Sequence, residues 1–478
     1  MKKHISLKGT LSMLTATSLL LSTLVLPASA VDTSPVSQSP AGAEPEKISL
    51  SEEQTFQFSI PVDMTLTEAQ AAAGKVVWTL EPDDDQEYLD DELFPNQTDG
   101  GALDSWVCAD GESPLFNAVT AKAETVDGQV CLVATLSNNC YWGEDLSARQ
   151  ENGGTYMDVC GYFDLTAELD GAELGSAPVK IVPYDSFHTM AEIYEEIDAL
   201  VDFAAEETDL YVEQFSMGQS QGDSGLESLD MPYLIVAKDK AAVDKWKTIK
   251  AKAESDPTAL LADIESGKLG DYQVPVLYSN VHANEVAAAD SIITFAWMLL
   301  EAAAGDGTLT YDKLTGFTAE GEAELAEQMG PVGEEGSVAV PDLVADSATY
   351  LGYLKGEEAD GTTSTKSIQV DLEKYYTIET QTVDVDALLD DVFFLLVPEE
   401  NVEGRTYITR TSSGGFDLNR DNSFQTQAET QNMPHLISQW NPVSFAEFHG
   451  RISAFQCEPC DPPHEPNFEY DLLAEHLV

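Results

Sequence analysis

Seven histidines are spread over the 478 residues, at positions 4, 188, 282, 435, 449, 464 and 476. Two of them directly follow runs that read as core strands. His282 comes after Val274–Asn280 and is followed three residues later by Glu285, an H-x-x-E at a strand-to-helix turn. His449 closes the run Val443–Phe448. Two His and one Glu around an open fourth position form a common catalytic zinc set, with water as the remaining ligand. An isolated H-x-x-E fits equally well with a buried, hydrogen-bonded His or a helix-capping Glu. The arginines narrow the choice. There are five, Arg149, Arg405, Arg410, Arg420 and Arg451, and four of them fall between 405 and 451. Against 85 Asp+Glu and a formal charge of −62, this cluster suggests recognition of a carboxylate or another anion, since the planar guanidinium fork binds two oxygens at once. The alternative is that these arginines pair with the abundant acids.

Five pieces of sequence extend the pattern: Val281-His282-Ala283-Asn284-Glu285, Asn401-Val402-Glu403-Gly404, Arg410, Gly415-Phe416-Asp417-Leu418-Asn419-Arg420, and Phe448-His449-Gly450. Their order resembles that in zinc metallocarboxypeptidases of the carboxypeptidase A type, over roughly Tyr184 to the C-terminus. The resemblance implies one zinc ion held by His282, Glu285 and His449, and Arg410 stabilising the developing oxyanion. It also implies that Asn419 and Arg420 clamp the substrate's terminal carboxylate and that Asp417 orients the His282 ring. Zinc in such a site lowers the pKa of its bound water to about 7. A cation aimed at the oxyanion is worth about 3–4 kcal/mol, and a clamp on the peptide's end leaves the terminal bond over the metal.

Three departures accompany the resemblance. Asn401-Val402-Glu403-Gly404 stands where the family usually has Asn-Pro-Asp-Gly, and Glu447 where it usually has Asp. The family's general-base Glu, with a substrate-contacting Tyr, lies well beyond the last zinc His, whereas this sequence stops at Val478, within what reads as a helix. Glu447 is on the same side of its strand as His449 and could substitute as the base, but an acid there is already explained as structural. The expectation is a chain that lacks its last strands.

The elements that must position these residues read as alternating strands and helices. Ile193, Ile197, Val201 and Ala204 give one face of a helix over 190–206. Strands are expected at 233–237, 274–278, 392–397 and 443–448, and helices at 241–253 and about 284–304, with Pro275 at a strand start. Together they predict an α/β carboxypeptidase-like mixed sheet with flanking helices over 184–478, incomplete at its C-terminal end. The Gly- and acid-rich stretch 305–365 reads as a surface insertion. Before it, 48–183 carries short alternating runs such as Thr55–Ile60, Lys75–Leu80 and Val130–Ala134, expected of an antiparallel β-sandwich-like domain. The acidic run Asp83–Glu92 lacks EF-hand spacing and reads as a solvated loop rather than a calcium site.

Residues 1–30 read as a signal peptide: Lys2, Lys3 and Lys8, then the apolar stretch Leu11–Leu26, then Ala28-Ser29-Ala30, with cleavage near Ala30. Residues 31–47 read as a flexible leader. No later run looks long and apolar enough for stable membrane insertion, so the expectation is a secreted, extracellular protein. The pI near 4.1 excludes nucleic acid as a partner, because binding it depends on neutralising phosphates. Cys108, Cys131, Cys140 and Cys160 allow three pairings. Cys457 and Cys460 form a C-x-x-C that fits a small disulfide better than half a zinc site, and all six are read as structural. The function expected is a secreted carboxypeptidase acting on peptide or protein C-termini. Its rivals are a non-catalytic binding protein and a zinc amidohydrolase acting on N-acyl amino acids or peptidoglycan stem peptides.

Overall fold

The structure is a computed structural model that describes residues 46–49, 55–83, 100–106, 115–116, 120–137, 160–222, 227–323 and 376–449. The first thirty residues, most of the leader, residues 84–92 of the acidic run, Cys108, Cys140, Arg451, Cys457 and Cys460 lie outside these ranges.

The N-terminal part is built of strands β1 (Glu46–Ser49), β2 (Thr55–Pro61), β3 (Val77–Pro82), β4 (Gly101–Ala102), β5 (Thr120–Val126), β6 (Gln129–Ser137), β7 (Gly161–Leu169) and β8 (Ala172–Val182), with helix α1 (Leu66–Ala72) after β2. They form two sheets, β1-β8-β7-β3-β4 and β2-β6-β5. Alternate side chains from both, such as Phe56, Phe58 and Ile60 from one and Leu80, Phe163, Leu165 and Ile181 from the other, meet in one apolar core. Pairing is antiparallel except that β1 runs parallel to β8. Cys131 and Cys160 are buried here. Cys131 is a thiol, kept protonated chiefly by burial, so it contributes packing rather than the cross-link expected of it.

Helix α2 (Met190–Glu207) opens the second part. Its start is set by a capping box, in which Thr189 accepts from the Glu192 N–H and Glu192 accepts from the Thr189 N–H. The buried face is Met190, Ile193, Ile197, Leu200 and Ala204, with Val201 half-buried at its margin. Then come β9 (Tyr211–Gln219), β10 (Asp230–Ala237), α3 (Lys240–Ser255), α4 (Pro257–Glu265), β11 (Val274–Ser279), α5 (Ala287–Ala304), β12 (Thr308–Phe317), β13 (Tyr376–Asp384), α6 (Val385–Leu389), β14 (Val392–Val397), α7 (Val402–Tyr407), α8 (Leu418–Asp421), α9 (Ala428–Trp440) and β15 (Ser444–Glu447).

Five strands form a mixed sheet, β15-β11-β14-β10-β9. The first three are mutually parallel, and β10 and β9 add antiparallel. Its three inner strands, β11, β14 and β10, are almost continuously apolar because both faces are covered. Leu234, Val236, Val276, Tyr278, Phe394 and Leu396 pack against α2 and α5 on one side. Tyr233, Ile235, Leu277, Phe393, Leu395 and Val397 pack against α3 and α9 on the other. Truncating a fully buried ring such as Phe394 to Ala should cost about 3–5 kcal/mol. The mixed α/β sheet with flanking helices therefore matches the reading of the sequence, while the start of the expected surface insertion forms strand β12, paired antiparallel with β13 beyond that stretch. Among the described residues one helix, α5, is long and apolar enough by length and composition to cross a membrane; half of it is buried in this fold, where it forms the core beside the sheet.

Candidate metal centre

The three parallel strands end side by side, and the loops leaving those ends build the site. After β11 the chain runs Asn280-Val281-His282, and Glu285 closes a turn by donating its N–H to the His282 carbonyl at 2.9 Å. After β15 the Phe448 N–H donates to the Ser279 carbonyl at 2.7 Å, extending the ladder one residue and delivering His449 beside His282. The Phe448 ring stacks edge-on against Tyr278, centroids 5.4 Å apart, and fixes that approach.

Three ligating side chains converge. His449 Nδ1 lies 3.1 Å from His282 Nδ1 and 3.0 Å from Glu285 Oε2, and His282 Nδ1 lies 3.0 Å from Glu285 Oε1. Donors about 2.0–2.2 Å from a tetrahedral zinc are separated by about 3.3–3.5 Å, so the triad needs to open by only a few tenths of an ångström. The far ring nitrogens both face carboxylates. His449 Nε2 is 2.6 Å from Glu447 Oε2, and His282 Nε2 is 3.5 Å from Asp417 Oδ1. Glu447 hydrogen-bonds the back of the His449 ring, the arrangement that turns Nδ1 of that ring toward the site, whereas the buried His282 Nε2 makes no hydrogen bond, with Asp417 behind it at 3.5 Å. The donor set, two imidazoles and a carboxylate, suits zinc. His282, Glu285 and His449 are the group of His, Cys, Asp and Glu among the described residues whose ligand atoms come close enough to hold an ion. Without one, hydrogen bonds to Glu285 and then Glu447 push the His449 pKa up to about 9.

Arg410 stands at the rim, with its Nη1 donating to Glu285 Oε1 and His282 Nδ1, both at 3.3 Å, and its Nε to Asp417 Oδ2 at 3.0 Å. Although burial opposes ionisation of Asp417, the Arg410 hydrogen bond and charge hold its carboxyl below the usual range. Asp417 also caps α8 by accepting from the Asn419 N–H at 3.0 Å. This places Asn419, half-buried, and Arg420, exposed, on the turn beside it.

The Asn401–Gly404 turn positions Arg410. Asn401 Oδ1 accepts from the Gly404 N–H at 2.9 Å, and its Nδ2 donates to the Arg410 carbonyl at 3.2 Å. Only glycine fits at 404, because a Cβ there would lie 2.2 Å from Asn401 Nδ2. Glu403 is buried and accepts from the Gly222 N–H and from the Ser413 N–H and hydroxyl.

Two buried acids escape a reading of the sequence alone. Glu399 accepts from Asn280 Nδ2 and from the Asn401 N–H, both at 2.9 Å, while Asn280 Oδ1 accepts from the His282 N–H at 3.2 Å. It thereby ties the metal loop to the turn that carries Arg410, and burial drives its carboxyl well above the usual range. Glu400 is buried as well, its pKa raised to about 8 by burial and by Glu447. Both belong to Val397-Pro398-Glu399-Glu400-Asn401, where adjacent acids closing an apolar strand are the available signal. Glu447, the possible substitute base, spends Oε2 on His449. Arg405 needs a correction: the anion cluster included it, but its side chain is 0% exposed and paired with Asp290.

No known protein-family profile and no curated protein matches the sequence. Among solved structures, a metallo-carboxypeptidase from Burkholderia cenocepacia aligns with 84% of this chain at 11% identity and a TM-score of 0.27. This chain spans 58% of its length. A metallo-carboxypeptidase from Pseudomonas aeruginosa, in complex with (2-guanidinoethylmercapto)succinic acid, aligns with 87% of this chain and 67% of its own, at 11% identity and a TM-score of 0.24. Agreement this slight establishes neither fold nor family, and the site must speak for itself.

Proposed function

We propose that this chain is a secreted zinc-dependent carboxypeptidase, with His282, Glu285 and His449 holding one zinc ion and the C-termini of peptides or proteins as substrates. The observation that carries the proposal is the convergence of two Nδ1 atoms and a carboxylate within 3.0–3.1 Å, beside an arginine. When bound, zinc acidifies a coordinated water and polarises a carbonyl. The described residues hold and orient the reacting groups, and none of them is assigned as the general base. Glu447 holds the His449 ring through its Nε2, and Asp417 stands behind the His282 ring to orient it. The Arg410 guanidinium, already at the ligand rim, supplies N–H donors where negative charge develops on the scissile carbonyl oxygen. Asn419 and Arg420, on the Asp417-capped turn, bind the terminal carboxylate, Arg420 through its bidentate fork. That clamp orients the last peptide bond.

Metal analysis of the purified protein, combined with turnover of one peptide bearing a free or an amidated C-terminus, tests this reading. One zinc per chain with loss of turnover on amidation is expected. Zinc with indifference to the terminal carboxylate would point to an amidohydrolase, and absence of zinc to a binding protein.

A further inference from the structure

The β domain reaches the metal loop by an apolar and a polar route. Val286, next to the ligand Glu285, is 4% exposed and belongs to the apolar core of the β domain rather than to either core of the α/β part. Ile408, between Arg405 and Arg410, packs against the same core in a left-handed conformation (φ 50°). A β-branched residue is strained there and persists only where its surroundings fix it.

The polar route centres on Arg405. Its Nη1 donates to the Val286 carbonyl at 2.9 Å. Its Nε and Nη2 donate to the His188 carbonyl at 3.1 and 2.6 Å, and Nη2 also reaches both Asp290 oxygens at 3.2 Å. The guanidinium lies over the Phe187 ring, 4.9 Å from its centroid. Asp290, in the first turn of α5, accepts in addition from the Tyr184 hydroxyl and from the His188 N–H, the latter at 3.2 Å. Tyr184–His188 is the segment that leaves β8, so one buried cation joins the exit of the β domain, the end of the metal loop and the start of the helix behind it.

We infer that the N-terminal β domain is a fixed buttress of the metal centre, and that Arg405 is the positioning residue through which Tyr184–His188 sets the path of the His282–Val286 loop. The inference rests on the metal-site reading above. A detachable binding module or a removable leader domain would meet its neighbour through a wetter, more polar surface. Here the contact is a shared core and a guanidinium with its donors engaged by both parts.

Hydrogen exchange of the metal-free full chain, with zinc affinity measured by chelator competition, tests this in Tyr184→Phe, Phe187→Leu and Arg405→Lys. Exchange at least tenfold faster over residues 280–288, an unchanged β12–β13 pair and zinc binding weakened at least tenfold are expected, with Tyr184→Phe the mildest. Wild-type exchange in that segment, uniform acceleration throughout the chain, or faster local exchange with unaltered zinc affinity would each overturn the positioning role. Should Arg405→Lys not fold, the two variants that retain the arginine decide. If the wild-type chain binds no zinc, the metal reading fails on its own, and the exchange pattern still decides whether the β domain fixes this loop.

Discussion

Arg405, in helix α7, and Arg410, in the turn that follows it, lie five residues apart, yet their environments are opposite. The Arg405 side chain is fully enclosed, whereas that of Arg410 is 37% exposed at the metal rim. Burial works against the Arg405 charge, and Asp290, then Tyr184 and Glu399, more than restore it. Arg410 instead shares Asp417 and Glu285 with two histidines and keeps a face toward solvent. The left-handed Ile408 between them turns the chain from one setting to the other. A guanidinium whose donors are consumed by backbone carbonyls and one buried acid fixes architecture; one that faces an open rim is available for chemistry.

That contrast predicts different failures. Arg405→Ala takes the buried guanidinium away from Asp290, leaving that acid only its Tyr184 and His188 partners, and should destabilise the protein by about 3 kcal/mol, read as a fall in the denaturation midpoint; wild-type stability would erase the distinction. Arg410→Ala should leave folding and zinc content unchanged and lower kcat by about 10²–10³-fold. A loss confined to KM would move Arg410 from the oxyanion to substrate binding.

Zinc affinity supplies a pH test of the rim. Metal ligation requires a neutral imidazole, and His449 holds a proton up to about pH 9 in the metal-free protein. Apparent affinity should therefore climb about tenfold per pH unit between 7 and 9 as the competing proton leaves, and a flat profile in chelator competition would contradict it. The smallest effect concerns Glu400. Its folded pKa of about 8 lies above its ordinary 4.5, so the stability that it contributes is full below about 4.5 and lost as pH rises through 8. Glu400→Gln should therefore raise the melting temperature of the metal-free protein at pH 9 by a few degrees relative to wild type, with little difference at pH 5.

Much of the α/β part was legible. Val392–Val397 and Tyr233–Ala237 are unbroken apolar runs because both faces of the sheet are covered, and His282 and His449 stand out by following such runs. The edge strand β9 was not legible: Tyr211–Gln219 is half-buried along most of its length and carries no alternation. The pairing of Thr308–Phe317 with Tyr376–Asp384 joins segments about sixty residues apart, a distance that local pattern does not encode. Burial of single charges was hidden for another reason. In a chain with 85 acids, Glu399, Glu400 and Asp290 look like surface residues, and only their apolar neighbours in sequence, as in Ala287-Ala288-Ala289-Asp290, hinted otherwise. The arginine cluster drew attention to the right loop but did not separate Arg405 from Arg410, because spacing records proximity along the chain and not which core a side chain enters.

X-ray absorption at the zinc edge on the purified full chain tests the central claim most directly. One zinc per chain is expected, coordinated by two imidazole nitrogens and carboxylate or water oxygens at about 2.0–2.2 Å, and absent from His282→Ala. Sulfur in the coordination shell, or zinc retained undiminished by His282→Ala, would contradict it.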